Sequence, residues 1–354
     1  MQFRRAGRAV IVGAVLSGAV IAAGAAAASP YTTVSRLPGV PPVLSWILHS
    51  SNTTSLSTAL QNELPGEDKS MFWGDICATN PNRPPTTTPC AFGDTTAKQV
   101  VVLYGDSFAL QWVPAMSALG TADHFKVLVY VRLGCPFADK AVLDYLGSFD
   151  TGCLTFRSSV VKAINAMRPV PQLVLTAEDF YRTAPDGTGI SPRQWAAAVA
   201  VTLKQLAVRR FPVGVILGIP AARQDPSQCL AAHPSDIQLC DTPIAKSFSV
   251  PADARFAAAV RGARGYVVNV SMLICGNSCP DVLHNTLVHA DRWHLSAAYV
   301  QSLERPFGSL IGCIGKRAPA ALAPGGGVLS RLLAPTGRPI LSACKAAITR
   351  PFNL

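Results

Sequence analysis

Charged residues are scarce in this sequence, and they form no long run of one sign. Asp, Glu, Lys and Arg make up 14% of the 354 residues, whereas hydrophobic residues make up 49%. This composition excludes an intrinsically disordered chain and supplies enough apolar side chains for a large buried core. The net charge is +11, but Lys and Arg are scattered and are not interleaved with aromatic residues. Nucleic-acid binding therefore has no support.

Apolar runs of membrane-spanning length are lacking after the N-terminus. The exception covers 9–28, an Ala- and Gly-rich segment that follows several arginines. This pattern is typical of a secretory signal peptide, with cleavage expected before Ser29. Since about 20 residues also span a bilayer, an uncleaved N-terminal membrane anchor is the alternative. Either way we expect an extracytoplasmic protein, secreted or held in the periplasm or cell envelope.

Signatures of cofactor and metal binding are also lacking. The glycine cluster at 324–328 follows no predicted strand, so it does not have the context of a phosphate-binding loop. Asp139, Asp144 and Asp150 lack the spacing of a cation-binding loop. We therefore expect neither a cofactor nor a resident metal.

Cysteine, in contrast, is abundant. Ten cysteines in an exported chain predict five disulfides, and pairing each cysteine with its neighbour in sequence closes short loops. The predicted bridges are Cys77–Cys90, Cys135–Cys153, Cys229–Cys240, Cys275–Cys279 and Cys313–Cys344. A zinc site of Cys275, Cys279, His284 and His289 is the competing interpretation. The short connector between its cysteines and histidines, together with an oxidising compartment, favours the bridge.

Composition divides the chain into four parts. Residues 1–28 are the signal peptide or anchor, and 29–90 are an N-terminal extension that ends in a Pro/Thr-rich linker. Residues 91–312 alternate strand and helix patterns and form the main domain. Residues 313–354 are rich in Gly and Pro without a sustained period, which indicates a C-terminal surface extension.

The main domain alternates nearly continuous apolar runs with helical patterns. The predicted strands cover 100–105, 125–131, 172–177, 213–219 and 265–272. The predicted helices cover 109–119, 154–167, 192–209, 252–263 and 296–310. Continuous apolar strands are typical of a parallel sheet buried on both faces. The predicted fold class is therefore α/β, a doubly wound, flavodoxin-like parallel sheet of about five strands flanked by helices.

A Gly-Asp-Ser triplet lies where the first strand gives way to the first helix. In VVLYGDSFALQW, Ser107 follows the strand and precedes an apolar helical pattern. A serine at this point lies at the carboxyl edge of the sheet, where ligands bind, beside the unpaired N–H groups of a helix start. Its hydroxyl is a candidate nucleophile. The alternative is a turn in which Asp106 or Ser107 merely caps the helix.

A second motif supplies the other groups that a serine nucleophile needs. In HADRWHLS, Asp291 and His294 lie three residues apart, between the last strand and the last helix. The imidazole would take the proton of the Ser107 hydroxyl, and the carboxylate would fix the tautomer of the ring. His284 and His289 are interpreted as polar surface groups of the loop that leads to this motif.

Together the two motifs resemble the SGNH/GDSL hydrolase family, and more narrowly the extracytoplasmic SGNH domain found fused to acyltransferase-3 membrane O-acyltransferases. The narrower likeness also includes GCPF before a second cysteine, ILGIP followed by Cys229 and Cys240, and CGNSCP before DRWHLS. The resemblance covers about 73–310. It implies a doubly wound α/β fold and a serine-based acyl-group chemistry.

The resemblance also implies roles for individual residues. Ser107 becomes the nucleophile, His294 the base and Asp291 its orienting partner. The backbone N–H groups of Ser107 and Gly134 become oxyanion donors. Phe108 stands where many fused domains have His, which leaves the nucleophile intact.

The sequence departs from the family pattern after the third strand. The family has a Gly-x-Asn-Asp block there, whose Asn supplies a third oxyanion donor. This chain reads LTAEDFYR instead, and none of Glu178, Asp179 or Tyr181 is a proper replacement.

Two classes of function follow. The first is an exported serine esterase or O-acyltransferase that acts on acetyl-like O-acyl groups of envelope glycans or on another ester, with a separate membrane acyltransferase as an expected partner. The second is a catalytically weak carbohydrate-binding or accessory module that retains the fold. The missing Asn favours the second class, and the intact Ser, His and Asp favour the first.

Overall fold

A mostly parallel sheet with helices on both faces organises the chain. The computed structural model describes residues 37–64, 78–79, 87–144, 147–180, 183–206, 210–217, 219–247 and 250–317. Within these ranges the strands are β1 (Ala78–Thr79), β2 (Cys90–Gly93), β3 (Val100–Gly105), β4 (Lys126–Arg132), β5 (Leu173–Ala177), β6 (Val213–Leu217), β7 (Thr242–Pro243), β8 (Tyr266–Asn269), β9 (Ser278–Cys279), β10 (Val282–Leu283) and β11 (Thr286–Leu287).

The order of the strands in the main sheet is β1-β4-β3-β5-β6-β8, and β2 pairs with the first four residues of β4. The β2–β4 pair is antiparallel, and the other neighbouring pairs of this sheet are parallel. The strand order reverses direction along the chain at β3, which is flanked by β4 and β5. In a doubly wound sheet the ligand site lies at the carboxyl ends of the strands at such a switch point. The residues that follow β3 therefore lie where a ligand is expected to bind.

Alternate residues of the central strands pack into two different apolar layers. Val101 and Leu103 of β3 belong to one layer, whereas Val100, Val102 and Tyr104 belong to the other. Every residue of β3 is buried. Burial on both faces explains why these strands are continuous apolar runs rather than alternating ones.

The helices cover the two faces of the sheet. They are α1 (Val40–Leu48), α2 (Thr58–Glu63), α3 (Ser107–Leu110), α4 (Val113–Ala122), α5 (Thr151–Ala166), α6 (Pro192–Gln205), α7 (Pro226–Ala232), α8 (Ile244–Ser247), α9 (Val250–Gly262), α10 (Ala297–Ser302) and α11 (Glu304–Arg317). Helices α1, α3, α4, α10 and α11 contribute to the first apolar layer, and α5, α6 and α9 contribute to the second. Helix α6 begins with the capping box that Ser191 forms with Gln194.

The predicted fold class is confirmed. The five predicted strands correspond to β3, β4, β5, β6 and β8, and the sheet is extended by β1 and β2. The predicted helix over 109–119 is two helices, because the chain turns at Gln111 and Trp112 between α3 and α4. The predicted helix over 296–310 is likewise divided at Leu303.

Three of the predicted disulfides lie within the described residues, and all three are formed. They are Cys135–Cys153, Cys229–Cys240 and Cys275–Cys279. The predicted Cys77–Cys90 and Cys313–Cys344 pairs each include a cysteine outside the described residues and stay predictions. Because Cys275 and Cys279 are bonded to each other, neither sulfur is a thiolate ligand, which argues against the zinc alternative.

Within the part of the chain that the structure describes, no helix has both the length and the apolar character needed to cross a bilayer. The expected signal peptide or anchor over 1–28 lies outside the described residues, as does 318–354. The four-part division of the chain therefore stays a prediction.

Candidate active site

Ser107 is the first residue of α3, and Asp106 alone separates it from the end of β3. Asp106 caps this helix with one carboxylate oxygen, which accepts a hydrogen bond from the backbone N–H of Phe108 at 2.9 Å. Its second oxygen accepts a hydrogen bond from the backbone N–H of Asp179, after β5, at 3.1 Å. Asp106 is therefore the capping residue, and it also joins the ends of the neighbouring strands β3 and β5.

The glycine of the triplet is required by a close approach between these two strands. Gly105 has a φ of 154°, and a Cβ at this position would overlap the carbonyl oxygen of Ala177 at the end of β5. Glycine lacks that atom, so β3 can turn into α3 while it still pairs with β5. The turn thus places Ser107 at the carboxyl edge of the sheet.

The side chains of Ser107, His294 and Asp291 form a continuous hydrogen-bonded series. The Nε2 atom of His294 lies 2.8 Å from Oγ of Ser107, and its Nδ1 atom lies 2.7 Å from Oδ2 of Asp291. Because the carboxylate can only accept, Nδ1 donates to Asp291, and Nε2 is left to accept the proton of the hydroxyl. The arrangement can convert the hydroxyl into a nucleophile. The structure therefore brings together the three residues that the sequence singled out.

Asp291 is held in its ionised form by the residues that follow it. Its Oδ1 accepts hydrogen bonds from the backbone N–H groups of Trp293 at 2.6 Å and His294 at 2.8 Å. Partial burial opposes ionisation, but the hydrogen bond and charge of His294 and the two backbone donors outweigh it. The pKa of the Asp291 carboxyl consequently lies below its ordinary value, and the group is an acceptor that does not compete for the proton of the ring.

Residues 289–295, here named the Asp–His loop, are closed by backbone contacts. His289 and Leu295 form an antiparallel bridge, and the N–H of Ala290 donates to the carbonyl of His294 at 2.8 Å. The segment that follows β6 contacts the other side of the loop. There the N–H of Ala222 donates to the carbonyl of Arg292 at 2.9 Å.

Gln111 joins the nucleophile segment to the Asp–His loop. Its Oε1 accepts a hydrogen bond from the backbone N–H of Leu295 at 2.7 Å, and its Nε2 donates to the carbonyl of Phe108 at 3.0 Å. The side chain is buried, with 1% exposure. Sequence reasoning missed this residue. The available signal was its spacing of four residues from Ser107, which puts both on one face of a helical turn.

His289 is buried, so its interpretation as a surface group is wrong. Its exposure is 1%, because the ring contacts Asp281 on one side and the carbonyl of Pro220 on the other. His284 is exposed, and its ring stacks on Trp46 of α1 with centroids 4.5 Å apart.

Gly134 follows the end of β4, the strand that pairs with β3. Its backbone is in a left-handed conformation with a φ of 71°. The residues on either side are fixed to the start of α5. Arg132 forms a two-point contact with Asp150, through Nε and Oδ2 at 2.5 Å and through Nη2 and Oδ1 at 2.9 Å. Cys135 is bonded to Cys153. The chain before and after Gly134 is thus attached to α5, which restricts the position of its backbone N–H.

The two described acidic residues that follow β5 contact other parts of the protein. Glu178 accepts a hydrogen bond from the backbone N–H of Ala138 at 2.7 Å, and burial raises its pKa well above the ordinary value. The backbone N–H of Asp179 is bonded to Asp106. Tyr181 lies outside the described residues.

An aromatic side chain lies on the surface of the Asp–His loop. Trp293 is 46% exposed although it stands between Asp291 and His294. The guanidinium of Arg292 lies 4.8 Å from the centroid of its ring. The buried ring of Phe108 packs against His294 with centroids 5.1 Å apart. Trp293 precedes His294 in the sequence, so an exposed aromatic residue adjoins the base along the chain.

Comparison with known proteins gives one family match. A model of the SGNH domain that is fused to AT3 domains matches residues 76–309 of this chain. No curated protein matches the sequence.

Two solved structures are similar to this chain. The periplasmic domain of a lipopolysaccharide acetyltransferase from Salmonella ser. Paratyphi A aligns with a TM-score of 0.52 at 16% identity, over 70% of this chain and 94% of that chain. A protein from Bacteroides fragilis, assigned as an acylhydrolase, aligns with a TM-score of 0.37 at 15% identity, over 64% and 90% of the two chains. At these identities the first likeness shows a shared fold.

Proposed function

The chain belongs to the family of SGNH domains fused to AT3 domains, and from that membership we propose that it is an exported serine esterase or O-acyltransferase that works through an acyl-enzyme on Ser107. The observation that carries the proposal is the hydrogen-bonded series from Ser107 through His294 to Asp291, with separations of 2.8 and 2.7 Å. A hydroxyl, an imidazole and a carboxylate in this order activate serine in acyl transfer.

The first half of the proposed reaction transfers the acyl group to the protein. Oγ of Ser107 attacks the ester carbonyl carbon while Nε2 of His294 takes the hydroxyl proton. Asp291 stabilises the imidazolium that forms. The backbone N–H groups of Ser107 and Gly134 donate to the oxyanion of the tetrahedral intermediate. When the intermediate collapses, the bond to the alkoxy group breaks and His294 returns the proton to the departing alcohol.

The second half releases the acyl group to an acceptor. His294 removes a proton from water or from a sugar hydroxyl, which attacks the acyl-enzyme carbonyl. The second intermediate collapses with return of the proton to Oγ of Ser107. Water as the acceptor makes the protein an esterase, and a sugar hydroxyl makes it an acyltransferase.

Envelope glycans that carry acetyl-like O-acyl groups are the proposed substrates. The Salmonella relative of similar fold is the periplasmic domain of a lipopolysaccharide acetyltransferase, and fusion to AT3 domains within the family supports a separate membrane acyltransferase as the partner. Disulfides support an oxidising, extracytoplasmic compartment. The exposed ring of Trp293 with its neighbouring Arg292 offers an apolar face and N–H donors next to the base, which suits a sugar ring.

A catalytically weak carbohydrate-binding module is the second candidate. The observation that favours it is the end of β5, where Glu178 and Asp179 are bonded to other parts of the protein and do not replace the family's Asn. Such a module would retain the fold and the glycan contacts but would have no turnover.

Labelling with a fluorophosphonate separates the two candidates. We expect the purified chain to be labelled, since the probe reacts with an activated serine. Ser107→Ala should abolish labelling, whereas Ser158→Ala, at an exposed serine of α5, should leave it intact. An unlabelled, folded wild-type protein would exclude the esterase and favour the binding module.

A further inference from the structure

Three neighbouring strands end level with one another at the candidate active site. Gly105 of β3 pairs with Val131 of β4 on one side and with Ala177 of β5 on the other. Ser107 comes two residues after the end of β3, and Gly134 comes two residues after the end of β4. The two proposed oxyanion donors therefore follow adjacent strands, and the segment after β5 lies on the other side of β3.

Residues 133–139, here named the Gly134 loop, cross the end of β3 toward β5. The ring of Phe137 packs edge-on against the ring of Tyr104 in β3, with centroids 6.4 Å apart. The backbone N–H of the next residue, Ala138, donates to Oε2 of Glu178 at 2.7 Å, and Glu178 is the first residue after β5. Because β3 lies between β4 and β5 in the sheet, this hydrogen bond joins the segments that follow its two neighbours.

The residue after Glu178 is bonded to the nucleophile segment. The backbone N–H of Asp179 donates to Oδ2 of Asp106 at 3.1 Å, and Oδ1 of Asp106 caps α3 at the backbone N–H of Phe108. Two consecutive residues after β5 thus hold the two segments that carry the proposed oxyanion donors. Glu178 holds the Gly134 loop, and Asp179 holds the start of α3.

Other side chains attach the Gly134 loop to the helices that cover the sheet. The hydroxyl of Thr202 in α6 donates to the carbonyl of Phe137 at 2.7 Å, and the guanidinium of Arg157 in α5 donates to the carbonyl of Ala138 at 2.8 Å. Neither of these hydrogen bonds involves the nucleophile segment. The contact with Glu178 differs from them because its next residue in the chain is bonded to that segment.

We propose that Glu178 is a positioning residue which, together with Asp179, sets the separation between the backbone N–H groups of Ser107 and Gly134. This inference rests on the proposed function, because it gives the residues after β5 a part in the same reaction. Two donors stabilise an oxyanion only when both are within hydrogen-bond distance of one oxygen. The family pattern has a donor Asn after β5, whereas Glu178 accepts a hydrogen bond there and holds the loop that carries another donor.

Glu178→Met and Glu178→Gln separate the hydrogen bond from the rest of the side chain. Met is of similar length but leaves the N–H of Ala138 without a strong acceptor, whereas Gln keeps a carbonyl oxygen for it. Burial raises the pKa of the Glu178 carboxyl well above its ordinary value, so the uncharged amide is the conservative replacement. We expect Glu178→Met to lower kcat for a small ester about 10- to 100-fold with a much smaller change in KM, and Glu178→Gln to stay within about fivefold of the wild type.

Inhibition by phenylboronic acid reports on the oxyanion donors directly. The boron accepts an electron pair from Oγ of Ser107, and the hydroxyl proton passes to Nε2 of His294. The tetrahedral boronate that forms is negatively charged and resembles the intermediate. Its Ki should rise in Glu178→Met by the factor by which kcat/KM falls, because both depend on the same donors. A lowered kcat with an unchanged Ki would overturn the proposal.

Thr202→Val is the matched control, because it removes a buried hydrogen bond between the same loop and α6. We expect it to lower Tm about as much as Glu178→Met does but to cost about tenfold less kcat, since the link to the nucleophile segment remains. Equal losses of kcat in the two variants would show that any attachment of the loop serves as well. That result, or full kcat in Glu178→Met, would overturn the role of Glu178.

A measurement without turnover keeps this proposal separate from the proposed function. In isotope-labelled protein carrying Ser107→Ala, we expect a nuclear Overhauser effect between the backbone amide protons of residue 107 and Gly134. It should persist in Glu178→Gln and weaken in Glu178→Met. An unchanged effect in Glu178→Met would refute the positioning role even if the esterase assignment is right. Failure of fluorophosphonate labelling would refute the esterase assignment without affecting this measurement.

Discussion

The side chain of Gln111 accepts a hydrogen bond from the backbone N–H of Leu295 at 2.7 Å. The two residues are distant in sequence but adjacent to the two parts of the candidate active site. Gln111 lies four residues after Ser107 and also donates to the carbonyl of Phe108. Leu295 follows His294. One buried amide therefore sets the separation between the nucleophile and its base.

Gln111→Met should break this connection with little change in volume. The N–H of Leu295 and the carbonyl of Phe108 would then be buried without partners, at a cost of about 1–3 kcal/mol each in the free energy of unfolding. We expect kcat for a small ester to fall at least tenfold, with a smaller change in KM, because positioning and not substrate contact is lost. Gln301→Met, at an exposed position of α10, is the control. Equal kcat for the two variants would show that Gln111 has no positioning role.

The proposed catalytic residues should behave as one unit. Ser107→Ala and His294→Ala should each lower esterase kcat by more than about 1,000-fold, and the double variant should be little worse than either. Asp291→Asn should also impair turnover, because an amide that donates to Nδ1 would stabilise the wrong tautomer of His294. The measurement is kcat on a chromogenic ester, with circular dichroism to check folding. Losses that multiply in the double variant would contradict the assignment.

Trp293 should affect substrate affinity more than chemistry. If its exposed ring contacts a sugar, Trp293→Ala should raise KM for an acetylated oligosaccharide about 5- to 10-fold, which corresponds to ~1 kcal/mol of lost contact. The effect on KM for p-nitrophenyl acetate, which has no sugar, should be smaller. Leu239→Ala, at another exposed hydrophobic residue, is the matched control. A uniform effect of Trp293→Ala on both substrates would argue against a sugar contact.

The strands and the Ser-His-Asp series could be predicted because each depends on local sequence. A strand that is buried on both faces, such as β3, is apolar at every position, and the motifs around Ser107 and His294 each follow a strand of the same sheet. The edge strands were missed for the opposite reason. In β2 each residue is exposed or half-buried, so its sequence has neither continuous nor alternating apolar character.

The framework of the site could not be predicted because its contacts join residues that are distant in sequence. The burial of His289 depends on the carbonyl of Pro220, and a backbone carbonyl has no residue-type signal. The partner of Gln111 is likewise a backbone group, so its spacing from Ser107 is a signal in the sequence but its contact with Leu295 is not. Glu178 is a further case, since its carboxyl group accepts a hydrogen bond from the backbone N–H of Ala138, a residue that is distant in sequence.

The raised pKa of Asp241 predicts that removing its charge stabilises the protein at neutral pH. Burial raises the pKa of the Asp241 carboxyl from 3.8 to about 6. The hydrogen bond from Ser278 lowers this pKa, and the charge of Asp281 raises it. Between these values the folded state binds more protons than the unfolded state, so the free energy of unfolding falls as the pH rises. Asp241→Asn keeps an acceptor for Ser278 without the charge. We expect it to stabilise the protein at pH 7 by about 1–2 kcal/mol, after allowance for solvent screening.

Thermal or urea unfolding at several pH values measures this gain. The advantage of Asp241→Asn should shrink as the pH falls through about 6 and should vanish below 3.8, where the acid is protonated in both states. Asp186→Asn, at a carboxyl whose pKa is lowered by its hydrogen bonds with Thr188, should lack this gain at pH 7. A stability difference for Asp241→Asn that does not change with pH would contradict the prediction.

The Cys275–Cys279 bridge should matter more for turnover than for stability, because of what the small ring supports. Ser278, inside the ring, donates to Asp241, and Cys279 in β9 pairs with Thr242 in β7. Asp281 follows two residues later and contacts His289. The bridge therefore restricts the start of the path that leads to the Asp–His loop, and a loop without such support positions its side chains less precisely.

Replacement of both cysteines of each bridge by alanine gives the comparison. In the chain-entropy model the loops of Cys275–Cys279 and Cys229–Cys240, with separations of 4 and 11 residues, contribute about 2 and about 3 kcal/mol. The variant without Cys229–Cys240 should thus lose at least as much stability. We nevertheless expect the variant without Cys275–Cys279 to lose more kcat, by about tenfold relative to the other, since its bridge lies on the path to His289 and His294. If kcat falls in proportion to the loss of Tm in both variants, the bridge acts as a general stabiliser and its effect on the Asp–His loop is no larger than that of any other disulfide.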